Sequence, residues 1–177
     1  MSKMFERGFY AGKFLPFHRG HQYCIETAAA ECGQLVVIFF SNSEEEAEIL
    51  DAETTLDPAL LEERKRLADL RAFCAGFSNV RFAVLDCGIM HAQALRDGTS
   101  TWDAETPYVL QTVGPFQAVY SSEPSYDAYF RRAYPFAVHR LVDPPRLHVP
   151  ISGTKLRAMT SSAAAPWLPT QGGTNHE

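Results

Sequence analysis

The sequence GKFLPFHRGH, residues 12–21, joins the end of one predicted strand to the start of one predicted helix. Aromatic and small residues from Gly8 to Phe14 predict the strand, and helix-forming residues from Arg19 to Cys32 predict the helix, which Gly33 would end. The continuous apolar run from Leu35 to Phe40 predicts a second strand, buried on both faces. A strand, a helix and a strand within about 33 residues match the length of a β-α-β unit.

Downstream of this unit, predicted helices and strands continue to alternate. Such alternation predicts an α/β, Rossmann-like fold, with a five-stranded, mostly parallel sheet and helices on both faces. The predicted elements are a helix from Asp57-Pro58 to Cys74, a strand over 80–84, a loop over 97–107 leading to a short helix over 108–113, a strand over 118–121, a short helix over 125–132, a strand over 136–142 and a short helix from Ser152.

Length and composition indicate one globular domain. The chain has 177 residues, of which 46% are hydrophobic and 21% are charged, so a disordered or collagen-like chain is excluded. We expect the domain to span residues 1–160 and residues 161–177 to form a flexible tail. The 16 Lys and Arg residues against 21 Asp and Glu residues leave a net charge of −5, which does not favour binding to duplex nucleic acid.

No segment predicts a membrane span or a signal peptide. The longest apolar run, Leu35 to Phe40, is far shorter than the roughly 20 residues that a spanning helix needs. The N-terminal residues carry charges and glycines in place of an apolar stretch, so we expect a cytoplasmic protein. Its cysteines have no metal-finger spacing and are expected to be buried and reduced. They are Cys24, Cys32, Cys74 and Cys87.

The segment 12–21 has the features of an anion site. Ligands of open parallel α/β sheets bind outside the carboxyl ends of the strands, where this segment is placed. A helix that starts there presents free backbone N–H groups and a partial positive charge. Lys13, His18, Arg19 and His21 add basic side chains, with no acidic residue over 7–25.

A second candidate anion site is ISGTKLR, residues 151–157. Ser152 is a natural helix N-cap, and the hydroxyl of Thr154 is suited to phosphate oxygens. Lys155 and Arg157 fall in the first turns of the helix, where the helix dipole disfavours cations. An anionic ligand would remove that conflict, so the pattern predicts phosphate binding.

Three features leave alternatives open. His18 and His21 could bind zinc, but no third ligand with suitable spacing follows, so we predict no protein metal ligand. The run Glu44 to Glu48 predicts a solvated loop, with a lid over the site as the alternative. Trp167 either packs a C-terminal segment on the domain or belongs to a free tail.

Taken together, the two motifs resemble those of a known superfamily. His18-Arg-Gly-His21 and residues 151–157 resemble the (H/T)xGH and ISxTxxR signatures of the nucleotidyltransferases. The segments SSEPSYDAYF, residues 121–130, and LVDPPRLHVPISGTKLR, residues 141–157, narrow the resemblance to the nicotinamide mononucleotide (NMN) adenylyltransferase domain of NadR-type proteins. The resemblance covers roughly residues 8–160 and implies the nucleotidyltransferase fold.

The resemblance also implies a reaction, in which the NMN phosphate attacks the α-phosphorus of ATP and gives NAD and pyrophosphate. ATP would be the co-substrate, and Mg²⁺ would be held by its phosphates and by water. His18, His21 and Lys13 would be catalytic, and Trp102 would either stack on the acceptor ring or pack locally. The ATP-binding residues would be Gly12, Phe14, Ser121, Ser122, Ser152, Thr154, Lys155 and Arg157.

Two other functions stay open at this stage. One is adenylyl or cytidylyl transfer to another phosphorylated small molecule, because the two motifs handle the triphosphate and say little about the acceptor. The other is a module that senses NAD or ATP without turnover. The sequence decides neither between nicotinamide and nicotinate acceptors nor between a monomer and a homo-oligomer. The expected partners are small molecules, with no nucleic acid and no membrane.

Overall fold

The computed structural model describes residues 2–50 and 54–169. Its strands form a five-stranded, fully parallel sheet in the order β3-β2-β1-β4-β5. This order confirms the predicted Rossmann-like α/β fold. The strands are β1 (Phe5–Gly12), β2 (Cys32–Ser41), β3 (Val80–Asp86), β4 (Ala118–Ser121) and β5 (Val138–Leu141).

Helices cover both faces of the sheet. The α-helices are α1 (Arg19–Glu31), α2 (Ser43–Ile49), α3 (Glu63–Ala75), α4 (Gly88–Asp97), α5 (Thr101–Val113), α6 (Asp127–Ala133), α7 (Gly153–Arg157) and α8 (Ser161–Ala164). Short 3-10 helices span Pro58–Leu60, Pro124–Tyr126 and Ala165–Trp167. None of the helices in the described ranges is both long and apolar enough to cross a membrane.

The alternation of side chains along β2 builds two cores, one on each face of the sheet. Val37 and Phe39 pack with residues of α1 and α3, whereas Val36 and Ile38 pack with residues of α5 and α6. All four side chains are fully buried, as the continuous apolar run predicts. The four cysteines are buried and unpaired, which confirms the prediction of reduced thiols.

The crossover between β1 and β4 opens the functional crevice. β1 pairs with β2 on one side and with β4 on the other, so the chain connections leave β1 and β4 toward opposite faces of the sheet. Ligands of doubly wound sheets bind at the carboxyl ends of the strands at such a point. Residues 12–21 follow β1 directly, and Ser121 ends β4 at the same edge.

Gly33 does not end α1, contrary to the sequence expectation. The helix ends at Glu31, and Cys32 already has extended backbone angles and begins β2. A Cβ atom on Gly33 would lie 2.9 Å from the carbonyl oxygen of Glu6. The glycine is therefore required for the close approach of β1 and β2. At the other end of β1, the strand stops at Gly12, so Phe14 lies outside it with a φ of 51°.

Helices replace two predicted loops. Residues 97–107 do not form a loop, because α5 starts at Thr101, with Ser100 as its N-cap, and continues through Pro107. Residues 44–48 are not a solvated loop, because Asn42 caps α2 and Glu46 is buried. In a smaller correction, Asp57 and Pro58 open only the 3-10 helix Pro58–Leu60 before α3 begins at Glu63.

The predicted domain boundary at residue 160 falls too early. Thr160 caps α8, and Ala164 is fully buried in a third cluster with Ile151 and Leu156. Trp167 is packed against the same cluster. Residues 161–169 therefore belong to the domain, while the remainder of the expected tail lies outside the described residues.

The contact at Gly33 generates a stability prediction. We expect Gly33→Ala to lower the free energy of unfolding by about 1–3 kcal/mol, the usual cost of overpacking, because the new Cβ meets a backbone carbonyl that cannot rotate away. Gly88→Ala is the control, since its Cβ would meet only the Asp86 side chain at 3.3 Å. Urea unfolding of the two variants measures the difference, and equal losses would contradict the assignment.

Candidate active site

A cavity of about 540 Å³ lies across the carboxyl ends of β1, β2 and β4. It brings together most of the predicted site residues. Among them are residues of both motifs, although these motifs are separated by more than half of the chain. The predicted residues that line it are Gly12, Lys13, His18, His21, Trp102, Ser121, Ser122, Ser152, Thr154 and Arg157.

Phe14 and Lys155 do not line this cavity. Phe14 is buried beneath it, and its ring lies 4.8 Å from the ring of His21, centroid to centroid, so it supports the imidazole instead of contacting the groove. Lys155 is exposed on α7, because it is offset by about 100° from Thr154 on the helix.

The two histidines of the motif form a reciprocal cap at the start of α1. The Nδ1 atom of His18 accepts a hydrogen bond from the backbone N–H of Gly20 at 3.0 Å. The Nδ1 atom of His21 accepts one from the backbone N–H of His18 at 3.2 Å. Because a backbone N–H can only donate, both Nδ1 atoms carry lone pairs, and each neutral ring holds its proton on Nε2. Each imidazole thus keeps one N–H donor.

Burial keeps both imidazoles neutral. It lowers the pKa of His18 to about 3, with a further lowering from the positive charge of Arg146. Burial also lowers the pKa of His21 well below its usual value, and His18 and Arg146 add to that shift. At neutral pH the pair therefore offers N–H donors without formal charge. The two rings lie 3.7 Å apart, centroid to centroid, so an anion would have to lie beside the pair and would be bound by hydrogen bonds.

Arg157 ties the second motif to the first. Its Nη1 donates to the carbonyl oxygen of Leu15 at 2.8 Å, and its Nη2 donates to Thr154 Oγ1 at 3.3 Å. Ser152 caps α7 by accepting from the backbone N–H of Lys155 at 3.2 Å. A Cβ on Gly153 would lie 3.0 Å from the Leu15 carbonyl, so the glycine allows α7 to approach the loop after β1.

Arg66 anchors the same loop from the other side. It is 1% exposed, and it donates to the carbonyl oxygens of Lys13 at 2.7 Å and Leu61 at 2.8 Å. Its third partner is the Glu46 carboxylate at 2.6 Å, and its guanidinium lies over the Phe39 ring. Arg66 therefore fixes the backbone from which Lys13 extends into the cavity.

Arg146 is a cavity residue that the motif search missed. It has a φ of 53°, donates to the carbonyl oxygen of Ile151 at 3.0 Å and pairs with Glu123. The Asp143 carboxylate accepts backbone N–H groups from the residues just after Arg146, which folds this loop. The sequence signal that could have pointed to Arg146 is the excess of basic residues from Arg131 to Arg157.

Ser121, the last residue of β4, and the adjacent Ser122 already have partners in the protein. Ser121 Oγ hydrogen-bonds His139 Nε2 at 2.6 Å, and Ser122 Oγ lies 3.2 Å from Cys24 Sγ. Both residues still line the cavity. Trp102 packs edge-on against Tyr126 and Tyr129, with both centroid distances at 4.9 Å, and is 39% exposed. Local packing thus leaves part of the indole facing the cavity.

A second polar cluster lies at the end of the cavity above β2. Asn42 Oδ1 accepts from the backbone N–H of Glu45 at 3.2 Å, so the amide nitrogen of Asn42 is the atom that faces His91 Nδ1 at 2.9 Å. His91 therefore holds its proton on Nε2 and donates it to Glu105. Lys13 Nζ, from the loop after β1, pairs with the Glu45 carboxylate at 2.9 Å.

This cluster contains the atoms that could hold a metal ion. The ligand atoms of Cys87, His91 and Glu105 lie within 4.8 Å of one another. Burial raises the pKa of the Cys87 thiol to about 12, and burial also raises the pKa of Glu105. His91 uses both ring nitrogens in hydrogen bonds. In this structure His91 and Glu105 form a hydrogen-bond network with Asn42.

The comparisons with known proteins identify the fold. No protein-family model matches the chain. The structure of a NadR protein in complex with NAD and AMP-PNP superposes with a TM-score of 0.59 at 20% identity, over 88% of this chain and 43% of that protein. This chain has the nucleotidyltransferase fold. The resemblance inferred from the two motifs is thereby confirmed at the level of the fold.

Other similar proteins carry related names. A bifunctional NMN adenylyltransferase/ADP-ribose pyrophosphatase from Francisella tularensis, complexed with AMP and a manganese ion, has a TM-score of 0.54 at 16% identity, over 87% of this chain and 41% of its own. A putative nicotinate-nucleotide adenylyltransferase from Vibrio parahaemolyticus has a TM-score of 0.53 at 18% identity, over 96% of each chain.

A curated relative matches part of the sequence. It is a nicotinamide-nucleotide adenylyltransferase from Halorubrum lacusprofundi, 40% identical over 58 residues, which are 33% of this chain and 29% of the relative. The chain thus matches less than a third of that relative and about two fifths of the NadR and Francisella proteins.

The buried guanidinium generates a stability prediction. We expect Arg66→Met to cost about 3–5 kcal/mol of unfolding free energy, because it leaves the Glu46 carboxylate buried without its cation. The control is Lys65→Met, whose pair with Asp69 is 27% exposed on each side and should matter by less than about 1 kcal/mol. Chemical denaturation compares them, and a cost for Arg66→Met as small as that of the control would be inconsistent with an anchoring role.

The neutral histidines generate a pH prediction. Since the pKa of His18 is about 3 in the folded protein and about 6.5 in an unfolded chain, the unfolded state binds more protons below about pH 6.5. The free energy of unfolding should therefore fall with decreasing pH, by about 1.4 kcal/mol per pH unit for this group.

His18→Asn tests that slope, because asparagine can still cap α1 but does not titrate. We expect unfolding measurements at about pH 7, 6 and 5 to give a flatter pH dependence for the variant than for the wild type. Identical slopes would mean that His18 does not stay neutral in the fold.

Proposed function

We propose that this chain is an adenylyltransferase that transfers AMP from ATP to the phosphate of NMN, giving NAD and pyrophosphate. The observation that carries the proposal is the pair of neutral imidazoles, His18 and His21, whose Nε2–H donors lie in one cavity with the N-terminus of α7. The nucleotidyltransferase fold and the partial match to a nicotinamide-nucleotide adenylyltransferase support it.

The reaction needs few protein groups. A phosphate oxygen of NMN forms the new bond to the α-phosphorus of ATP, and the bond from that phosphorus to the β-phosphate oxygen breaks. The nucleophile is already ionised, so no side chain has to remove a proton. Catalysis depends on alignment and on donors for the charge that develops on the phosphates. His18 and His21 supply such donors, and Lys13 adds a cation at the same rim.

The second motif would hold the departing pyrophosphate. Ser152, Thr154 and Arg157 line the cavity at the start of α7. The hydrogen bond from Arg157 to the Leu15 carbonyl places this group against the loop that carries the histidines. The β- and γ-phosphates would therefore lie between the two motifs, with the α-phosphorus at the imidazoles.

Mg²⁺ fits this site as a companion of ATP. Each carboxylate that lines the cavity has one partner in the protein: Glu45 with Lys13, Glu105 with His91 and Glu123 with Arg146. The ion would accordingly be held by phosphate oxygens and water, as is usual for Mg²⁺ at nucleotides. Bound there, it would neutralise phosphate charge. We place the reaction in the cytoplasm, with small molecules as partners.

Pyrophosphate release separates this function from its alternatives. Purified protein is incubated with Mg²⁺-ATP and one phosphorylated acceptor at a time, and pyrophosphate is followed. We expect release that requires NMN. Release only with another phosphorylated compound would move the function to that acceptor, and nucleotide binding without release under any condition would favour a sensor.

His21 generates the catalytic prediction. His21→Ala should lower kcat by roughly 10²–10³ with little change in the KM for ATP, because the donor acts mainly on charge that develops in the transition state. His148→Ala is the control, as His148 is exposed and stacks on Tyr23 outside the cavity lining. Unchanged kcat in a folded His21→Ala protein would remove His21 from the catalytic role.

A further inference from the structure

The end of the cavity above β2 is acidic. We call the four residues that line it there, Glu45, His91, Trp102 and Glu105, the acidic end. Lys13 is paired with Glu45 at 2.9 Å, and His91 lies between the Asn42 amide and the Glu105 carboxylate. Two carboxylates, Glu45 and Glu105, therefore face one lysine at this end of the cavity.

The Glu105 carboxylate has a fixed orientation. Its side chain is 14% exposed, and Oε1 accepts the Nε2 proton of His91. The His91 ring is oriented in turn by the Asn42 amide, whose oxygen caps α2. Within residues 2–50 and 54–169, no hydrogen bond or ion pair is assigned to the second oxygen of Glu105. That oxygen can therefore accept a hydrogen bond from a ligand in the cavity that Glu105 lines.

Trp102 and Glu105 are three residues apart on α5, so they lie on the same side of the helix. Both line the cavity. A flat aromatic ring that packs against the indole of Trp102 would therefore have its edge near the Glu105 carboxylate. A substituent on that edge would have to donate a hydrogen bond to this carboxylate and tolerate its negative charge.

We propose that Glu105, oriented by His91 and Asn42, is the residue that selects the acceptor, accepting a neutral carboxamide on the ring and excluding a carboxylate. The inference rests on the proposed function. The pyridinium ring of NMN is cationic, and its carboxamide N–H can donate to Glu105. In nicotinate mononucleotide the substituent is an anion with no donor.

The physical basis is a difference between two pairings at one carboxylate, whose side chain is 14% exposed. The carboxamide supplies the missing hydrogen bond, while the carboxylate brings a second negative charge to a site that water screens poorly. Sites built to hydrogen-bond one substrate group discriminate strongly against an analogue that lacks it. Exclusion by charge adds to that discrimination.

The test measures kcat/KM for NMN and for nicotinate mononucleotide with wild-type protein and three variants. Glu105→Gln keeps an oxygen for His91 and presents an amide N–H to the ring. Glu105→Asp keeps the charge. Asp103→Asn is the matched control, because it neutralises an exposed acid on the same helix, paired with Arg132 and outside the cavity lining.

For the wild type, we expect kcat/KM to favour NMN by on the order of 10²-fold or more. Glu105→Gln should reduce that ratio by on the order of tenfold or more, mainly by lowering the KM for the nicotinate form. Glu105→Asp and Asp103→Asn should preserve the preference for NMN. A general loss of activity lowers kcat/KM for both acceptors alike and cancels in their ratio. A merely structural role of Glu105 would therefore leave the ratio unchanged.

Failure of the proposed function and failure of the role of Glu105 alone give different results. No pyrophosphate from either acceptor would overturn the proposed function, and the selection with it. Equal use of the two acceptors by the wild type, or an unchanged ratio in a folded Glu105→Gln protein, would overturn the role of Glu105 alone. If Glu105→Gln does not fold, Glu105→Ala replaces it, and an unchanged ratio in that folded variant would overturn the assignment in the same way.

Discussion

Two guanidinium groups hold the loop after β1 by its backbone. Arg66 donates to the carbonyl of Lys13, and Arg157 donates to the carbonyl of Leu15, from opposite sides of the loop. Lys13, His18 and His21 extend from this loop or from the helix that follows it, so their positions depend on these two anchors. Because the two arginines come from α3 and α7, both helices must be packed against this loop for it to be held on both sides.

The electrostatics of the site follow from the way α1 is capped. A helix start normally offers free backbone N–H groups to an anion. Here the His18 and His21 rings take two of them, and the imidazoles present their own N–H groups to the cavity instead. Since burial also keeps the rings neutral, the two imidazoles contribute donors without charge, and the cations Lys13, Arg146 and Arg157 line the same cavity. Donors that are in place before the ligand arrives need no reorganisation during the reaction.

The sequence alone was sufficient to predict a feature where residues close together in the chain determine it. Apolar runs predict the strands, and motif residues close together in the chain predict two segments that meet at the cavity. It was insufficient where a distant partner decides the structure. The segment 44–48 is helical and partly buried because Glu46 meets Arg66, 20 residues away, and Gly33 serves a contact with the neighbouring strand. Arg146 and Glu105 belong to no local motif, and only the topology brings them to the cavity.

Asn42 has two functions that are usually separate. Its side-chain oxygen closes the first turn of α2, and its amide nitrogen determines which nitrogen of His91 carries the proton. A seven-residue helix is a segment of low local stability, and such segments open more readily than the core. When α2 frays, the amide is released and His91 can take the other tautomer. The order of one short helix and the proton position at the far end of the cavity are therefore coupled through a single side chain.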